Sequence, residues 1–332
     1  MSSTLLVGTR KGLFVIREGG IEGPLLPGWE VFHAIASDGV LYAAANNFVY
    51  GATVQRSEDG GATWERSAPI EGLTRAWHIE PAGNGTLYLG GDPGCLFRSG
   101  DGGRTWEPNA GLAAHPTRDR WHPGAGGLCC HSIQVTPDAL YVAISAAGAF
   151  RSGDDGETWT PINEGVAADF LPEPYPEVGQ CVHKLLAHPA RPGRLWQQNH
   201  CGTYRSDDRG ETWARLDGNG LPSSFGFGIA LDPADPDVAY VIPEQGAEYR
   251  VTTEGRLAVW RTGDGGASWA PEAEGLPAPA WTGVLRDGMG FDAGGVYFGT
   301  QSGSVFVTSR DGGWREAASQ LPPVCSVHAA EL

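Results

Sequence analysis

A short sequence pattern recurs along the chain and limits the folds open to it. Five octets share the pattern Ser/Thr-x-Asp-x-Gly-x-Thr/Ser-Trp, at residues 57–64, 99–106, 152–159, 206–213 and 262–269. A shortened sixth copy occupies residues 309–314. A period of about 40–50 residues is typical of architectures in which each repeat is one small supersecondary unit. We therefore expect a single structure repeated along the whole chain.

Each octet has a mechanical interpretation as a hairpin turn. The Asp side chain caps a tight turn, a Gly supplies the positive φ angle, and the Trp begins the next strand as a packing wedge. The octets are thus expected to be structural rather than catalytic. The aspartates assigned to this role are Asp59, Asp101, Asp154, Asp208, Asp264 and Asp311.

The octets resemble the Asp-box, or bacterial-neuraminidase repeat, of sialidases, sortilin-type receptors, xyloglucan hydrolases and photosystem assembly factors. All of these are β-propellers, so the resemblance implies that fold, and the five full copies and one partial copy cover most of the chain. The functions of these families differ too widely for the fold to indicate one of them. The Arg-Ile-Pro motif of sialidases does not occur here, so sialidase activity is not expected.

The flanks of the octets repeat as well and give the number of units. Apolar pairs that mark the second strand of a unit begin at Leu5, Leu41, Leu87, Leu140, Leu195, Ala239 and Val296. Seven units of about 47 residues predict an all-β, seven-bladed propeller as one domain over residues 1–332. The first unit lacks its innermost strand, and we expect the C-terminal segment 324–330 to supply it and close the ring.

Composition narrows the range of partners. The chain has 50 Gly, 24 Pro and a formal net charge of −16, the wrong sign for tracking a phosphate backbone. Nucleic acid and membrane surfaces are not expected as partners, and the sequence has neither a basic-then-apolar leader nor about 18 consecutive apolar residues. Six cysteines without secreted-scaffold spacing are interpreted as reduced thiols. A cytoplasmic monomer is the expectation.

A histidine recurs near the start of the innermost strands. In a propeller, these strands surround the axis, and neutral imidazoles from neighbouring blades can converge on one transition metal. The predicted ligands of an Fe, Mn, Cu or Zn ion are His33, His78, His131 and His183. The competing interpretation makes each histidine part of the repeat, donating a hydrogen bond to a backbone carbonyl of the next blade.

Further candidates lie on the corners and long loops of the face opposite the octets, where propeller ligands should be sought. The predicted catalytic residues are His200, Asp92, Glu244 and Arg10. The predicted substrate-binding residues are Trp77, Arg120, Trp121, Tyr175, Gln245 and Trp281. Arginine suits a substrate carboxylate, and aromatic rings suit sugar stacking.

Three functions remain open from the sequence. The first is a metal-dependent lyase or oxygenase acting on a small polar or carboxylate-bearing substrate, which could derive from a carbohydrate. The second is a glycoside hydrolase that uses paired carboxylates and a saccharide ligand. The third is a non-catalytic binding or assembly propeller, as in two of the families that carry the repeat.

Overall fold

The computed structural model describes residues 4–308 and 313–330, which form seven four-stranded antiparallel sheets. The first three blades contain β1 (Thr4–Thr9), β2 (Gly12–Arg17), β3 (Gly20–Leu25), β4 (Glu30–Ser37), β5 (Val40–Asn47), β6 (Gly51–Ser57), β7 (Glu65–Arg66), β8 (Arg75–Gly83), β9 (Thr86–Asp92), β10 (Cys95–Ser99) and β11 (Glu107–Pro108). Blades four and five contain β12 (Cys130–Val135), β13 (Leu140–Ile144), β14 (Gly148–Ser152), β15 (Thr160–Pro161), β16 (Val182–His188), β17 (Arg191–Asn199), β18 (Gly202–Ser206) and β19 (Ala214–Arg215). Blades six and seven contain β20 (Gly226–Leu231), β21 (Ala239–Pro243), β22 (Val259–Thr262), β23 (Ala270–Glu272), β24 (Met289–Asp292), β25 (Gly295–Gly299), β26 (Val305–Thr308) and β27 (Trp314–Ala318).

The last strand, β28 (Val324–Ala330), closes the ring. It pairs antiparallel with β1, with Leu6 opposite His328, and becomes the innermost strand of the first blade. The predicted seven-bladed fold and its closure by the C-terminal segment are therefore confirmed. Closure removes the sheet edge that an open ring would expose.

Apolar side chains between neighbouring blades hold the ring together. The largest fully buried ones, Trp196, Tyr141 and Tyr204, belong to second and third strands whose side chains pack against the adjacent sheet. The described helices are short: α1 (Ala110–Ala113) and two 3-10 turns, Arg118–Arg120 and Thr253–Gly255. No helix of the described residues is long and apolar enough to cross a membrane. All six cysteines are free thiols.

The five full octets form the same hydrogen-bonded turn, called here the octet turn. In the first copy, the Ser57 hydroxyl donates to Asp59 Oδ1 at 2.8 Å, and the Thr63 hydroxyl donates to Asp59 Oδ2 at 2.6 Å. The Gly61 amide donates to Ser57 Oγ at 2.8 Å from a backbone with φ of +99°. These bonds to the carboxylate lower the pKa of Asp59 to about 2. Asp311, of the shortened copy, lies outside the described residues.

A shared irregularity in the innermost strands controls what faces the axis. In blades two to five the pairing with the second strand skips one residue, a β-bulge. The skipped residues are Phe32, Trp77, His131 and His183, and the residues after them are His33, His78, Ser132 and Lys184. The four histidines therefore occupy two different positions of the repeat, although the sequence suggested one.

Candidate functional site

Polar groups gather at both ends of the propeller axis, and these two ends are called here the two chambers. Turns between first and second strands share a face with the octet turns, and a cavity of about 280 Å³ opens there, lined in part by the turn residues Pro189 and Pro233. We call this cavity the channel. The opposite face, formed by the corners between second and third strands and by the loops between blades, is called the bowl. A groove of about 520 Å³ between the outer parts of the first and last blades lies apart from both.

The channel contains a compact set of charged groups. Its polar lining consists of His33, His78, Glu80, Gln134, Lys184, Asp287 and His328. The Lys184 ammonium is ion-paired with Asp287 Oδ1, and both side chains are almost fully buried. His78 lies 3.3 Å from a carboxylate oxygen of Asp287 and 3.3 Å from one of Glu80. The rings of His33 and His78 stack at 4.1 Å.

The pKa shifts in the channel show that these charges stabilise one another. Burial raises the pKa of Asp287, but Lys184 and the two histidines outweigh it and hold that pKa well below its ordinary value. Burial lowers the pKa of His78, but the Asp287 carboxylate outweighs it and the pKa is raised. His33, which accepts a hydrogen bond from the Ile79 amide at 3.2 Å, has its pKa well lowered by burial and by His78.

The centre of the bowl is a guanidinium between two aromatic rings. The Cζ atom of Arg286 lies 5.4 Å from the Trp77 ring centroid and 5.0 Å from that of Phe227. No described residue hydrogen-bonds or ion-pairs with Arg286, and its Nε is buried without a partner. Arg75 and Arg250 approach the same two rings at 5.8 and 5.7 Å. The bowl thus concentrates positive charge in a chain of net charge −16.

Two carboxyl groups flank this positive centre. Glu244 follows β21, is 1% exposed, accepts a hydrogen bond from the Val284 amide at 3.0 Å, and leaves its Oε2 without a partner. Burial raises the pKa of Glu244 to about 7. Gly283 makes this packing possible, because a Cβ there would lie 2.9 Å from Glu244 Oε1.

Asp92 ends β9 at the equivalent corner of the third blade. Its Oδ2 lies 3.9 Å from Arg75 Nη1, and its Oδ1 is buried without a hydrogen-bond partner. The neighbouring Cys129 thiol, which donates to the Gly126 carbonyl, has its pKa raised by burial and by Asp92. The bowl therefore holds two acids that each keep one buried oxygen without a hydrogen-bond partner among the described residues.

A third group in the bowl combines a thiol and two imidazoles. The donor atoms of Cys181, His183 and His200 lie within 4.8 Å of one another. In the described residues, the only other group of this kind is His33, His78 and Asp287 in the channel. His131 belongs to neither, and its Nε2 lies 2.9 Å from Ser145 Oγ. The four histidines of the predicted metal set are thus divided between the two chambers.

The remaining predicted residues have varied surroundings. Trp281 and Tyr175 are exposed on the rim, as is Gln245. Arg120 pairs with Glu177, and Arg10 Nη1 pairs with Glu30 Oε1 at 3.0 Å. Trp121 is not on the bowl wall: it is 5% exposed, packs on Phe150, and donates from Nε1 to Thr117 Oγ1.

Sequence reasoning missed Arg286, Asp287, Lys184 and Arg250. The segment that carries Arg286 and Asp287 precedes β24, a strand of only four residues, and has no repeat pattern to align it with other blades. Lys184 directly follows the bulged residue His183 and lines the channel. The sequence gives no sign of this bulge, so the position of Lys184 could not be deduced. The available sequence signal was that Arg286 and Asp287 stand next to each other before the last blade and do not follow the repeat.

The comparisons with known proteins fit the architecture. No protein-family model matches the chain. Over 174 residues it is 28% identical to the xyloglucanase Xgh74A of Acetivibrio thermocellus, an alignment that covers 47% of this chain and 19% of the relative. The match thus spans about a fifth of the length of that curated relative.

Two solved structures extend the likeness over nearly the whole chain. The Niastella koreensis GH74 enzyme superposes with a TM-score of 0.69 at 17% identity, covering 95% of this chain and 52% of that one. YCF48 from Cyanidioschyzon merolae superposes with a TM-score of 0.61 at 14% identity, covering 94% and 89%. At these identities the likeness establishes the fold that the three proteins have in common.

Proposed function

We propose that this protein is a saccharide-acting propeller that hydrolyses a glycosidic bond in the bowl, with Glu244 and Asp92 as its paired carboxyl groups. The observation that carries the proposal is Glu244, a carboxyl whose pKa burial raises to about 7 and whose Oε2 has no partner. A carboxyl that stays protonated near neutral pH can donate a proton to a leaving oxygen.

Asp92 complements Glu244 in this mechanism. It lies at the corresponding corner of another blade, next to Arg75, and can act as the second carboxylate that activates water or stabilises the developing positive charge of the sugar ring. Trp281, 62% exposed on the rim, offers a stacking surface for a sugar. The names of the relatives, xyloglucanase and GH74 enzyme, favour this hydrolase over a metal-dependent lyase or oxygenase.

The positive centre of the bowl indicates the kind of saccharide. Arg286 is held between Trp77 and Phe227 without an anion from the described residues, and a guanidinium pairs best with a carboxylate or similar planar anion. We therefore expect a sugar that carries a carboxylate, so that the anion pairs with Arg286 while the scissile bond lies between the two acids.

The test is to incubate the protein with defined oligosaccharides, both neutral and uronate-containing, and to measure hydrolysis as the release of reducing ends. We expect the wild type to cleave a uronate-containing substrate, and Glu244→Gln and Asp92→Asn to lose at least about a hundredfold in kcat/KM without loss of folding. The matched control is Glu254→Gln, an exposed acid on the loop after Glu244 that pairs with Arg256. Cleavage that persists in both acid variants would overturn the assignment.

A further inference from the structure

We propose that Cys181, His183 and His200 form a three-ligand Zn²⁺ site in the bowl, with its fourth coordination position open to an anionic ligand. The donor atoms of all three lie within 4.8 Å of one another. Zn²⁺ favours thiolate and imidazole donors, and three protein ligands with one open position are typical of zinc sites that bind a small ligand. None of the three ligands takes part in the proposed hydrolysis, and both proposals place an anion near Arg286.

The backbone holds the two ends of the site together. Cys181 immediately precedes β16 and His200 follows β17, and the His200 amide donates to the Cys181 carbonyl at 2.9 Å. Val182, the first residue of β16, and Asn199, the last residue of β17, are next to the two ligands and pair with each other. The spacing between these two ligands is therefore fixed by the blade rather than by a flexible loop.

The orientation of His183 is suited to a metal ligand. Its Nδ1 lies 2.6 Å from the Gly226 carbonyl, which can only accept, so Nδ1 carries the proton and Nε2 carries the lone pair. A second-shell carbonyl that fixes the tautomer in this way is a usual companion of a metal-bound histidine. The Phe227 ring stacks on His183 at 4.3 Å and restricts its rotation.

Within the described part of the chain, the His200 ring has no hydrogen bond that zinc binding would have to break. No described residue hydrogen-bonds a ring nitrogen of His200, whose ring is flanked by Phe170 and Phe225 at 5.1 and 5.2 Å. Ligand atoms around a tetrahedral zinc ion are about 3.3–3.7 Å apart, so the gaps have at most about 1.5 Å to close by side-chain rotation. Burial and the nearby arginines lower the pKa of both histidines, which keeps the imidazoles neutral and able to ligate.

The arginines define the fourth ligand. Burial raises the pKa of the Cys181 thiol, and the positive charges of Arg286 and Arg250 partly oppose that rise. The same charges oppose a dication unless negative charge accompanies it. The Cys181 proton leaves when the sulfur binds zinc, and an anion such as hydroxide or a carboxylate in the fourth position supplies the remaining negative charge. The channel group is a poorer zinc site, because Lys184 already pairs with Asp287.

The experiment measures metal, not catalysis. The full chain is stripped with chelator, titrated with Zn²⁺ by calorimetry, and separately loaded with Co²⁺, whose thiolate complex absorbs in the near ultraviolet. We expect one Zn²⁺ per wild-type chain and a thiolate–Co²⁺ band, and a fall in Zn²⁺ affinity of about tenfold or more in Cys181→Ser and His200→Ala. Circular dichroism checks that both variants fold.

Two variants separate this site from others. Cys201→Ser removes a buried thiol from the same corner but outside the group, and should keep both the stoichiometry and the band. His78→Ala removes the channel group and should also leave zinc binding unchanged. Unchanged zinc affinity in Cys181→Ser and His200→Ala, loss of binding only in His78→Ala, or a wild type that takes up no zinc would each overturn the proposal.

Discussion

The bowl and the channel are built from the same innermost strands, yet they treat charge in opposite ways. In the channel, the cation of Lys184 and the ring of His78 both lie against the Asp287 carboxylate, so opposite charges are paired within the protein. In the bowl, Arg286 has no partner among the described residues, and Glu244 keeps one oxygen unpartnered. Buried polar groups normally find partners within the protein, so exceptions of this kind need an explanation. From this contrast we expect the channel to stabilise the ring and the bowl to take the ligand of the proposed function.

The largest effect that would sharpen this contrast is expected in the channel. Lys184→Met leaves the Asp287 carboxylate buried without its cation and should lower the free energy of unfolding by about 3–5 kcal/mol. Urea denaturation measures the change. The double variant Lys184→Met/Asp287→Asn removes the stranded charge and should recover much of the loss. A single variant as stable as the wild type would show that the pair does not support the ring.

The second effect is a gain of stability when Glu244, in the bowl, is replaced by Gln. Folding raises the pKa of Glu244 from 4.5 to about 7, so the folded state favours the protonated carboxyl. The contribution of Glu244 to the free energy of unfolding is therefore fully present below pH 4.5 and is lost as the pH rises through about 7. Glu244→Gln keeps an oxygen for the Val284 amide and should be more stable than the wild type by up to about 3 kcal/mol at pH 8.

Thermal unfolding at several pH values tests this second effect. The advantage of Glu244→Gln should shrink as the pH falls towards 5 and the native carboxyl becomes protonated. A constant difference between the two proteins across this range would mean that Glu244 does not titrate in the folded state as its burial requires.

The smallest effect on stability is expected for the central arginine. Arg286→Met retains contact with Trp77 and Phe227 while removing an unpaired charge, so the free energy of unfolding should change by no more than about 1 kcal/mol in either direction. Calorimetry should nevertheless show that this variant no longer binds a uronate. A large loss of stability would place Arg286 with the channel residues, as part of the framework.

The sequence predicted the number and order of the blades much better than the side chains that meet at the axis. The octets and the second-strand pairs predict seven blades because both repeat, and the missing strand of the first blade predicts that β28 closes the ring. Asp92 and Glu244 were found because corners between second and third strands can be located by counting along a repeat. Glu248 and Asp119 are acids of similar loops and are as visible in the sequence as these two, because burial cannot be deduced from the repeat.

Counting along the repeat failed for the innermost strands. The β-bulges at Trp77 and His183 insert one residue without a sequence signal, so His78 and His183 were placed at one register and lie in different chambers. Arg286 lies outside the repeated pattern that locates residues in other blades. A repeat predicts what all its copies share, and the candidate site is made of what they do not share.

Closure by β28 also decides the order in which the molecule can be assembled. The strand partners Leu6 and His328 are separated by nearly the whole sequence, which makes this pairing the least local contact in the ring. During synthesis, β1 to β3 emerge first but must wait for the final strand before their sheet is complete. The first of these seven blades to be translated is therefore the last to be completed, and until then its unpaired edge is open to misassociation.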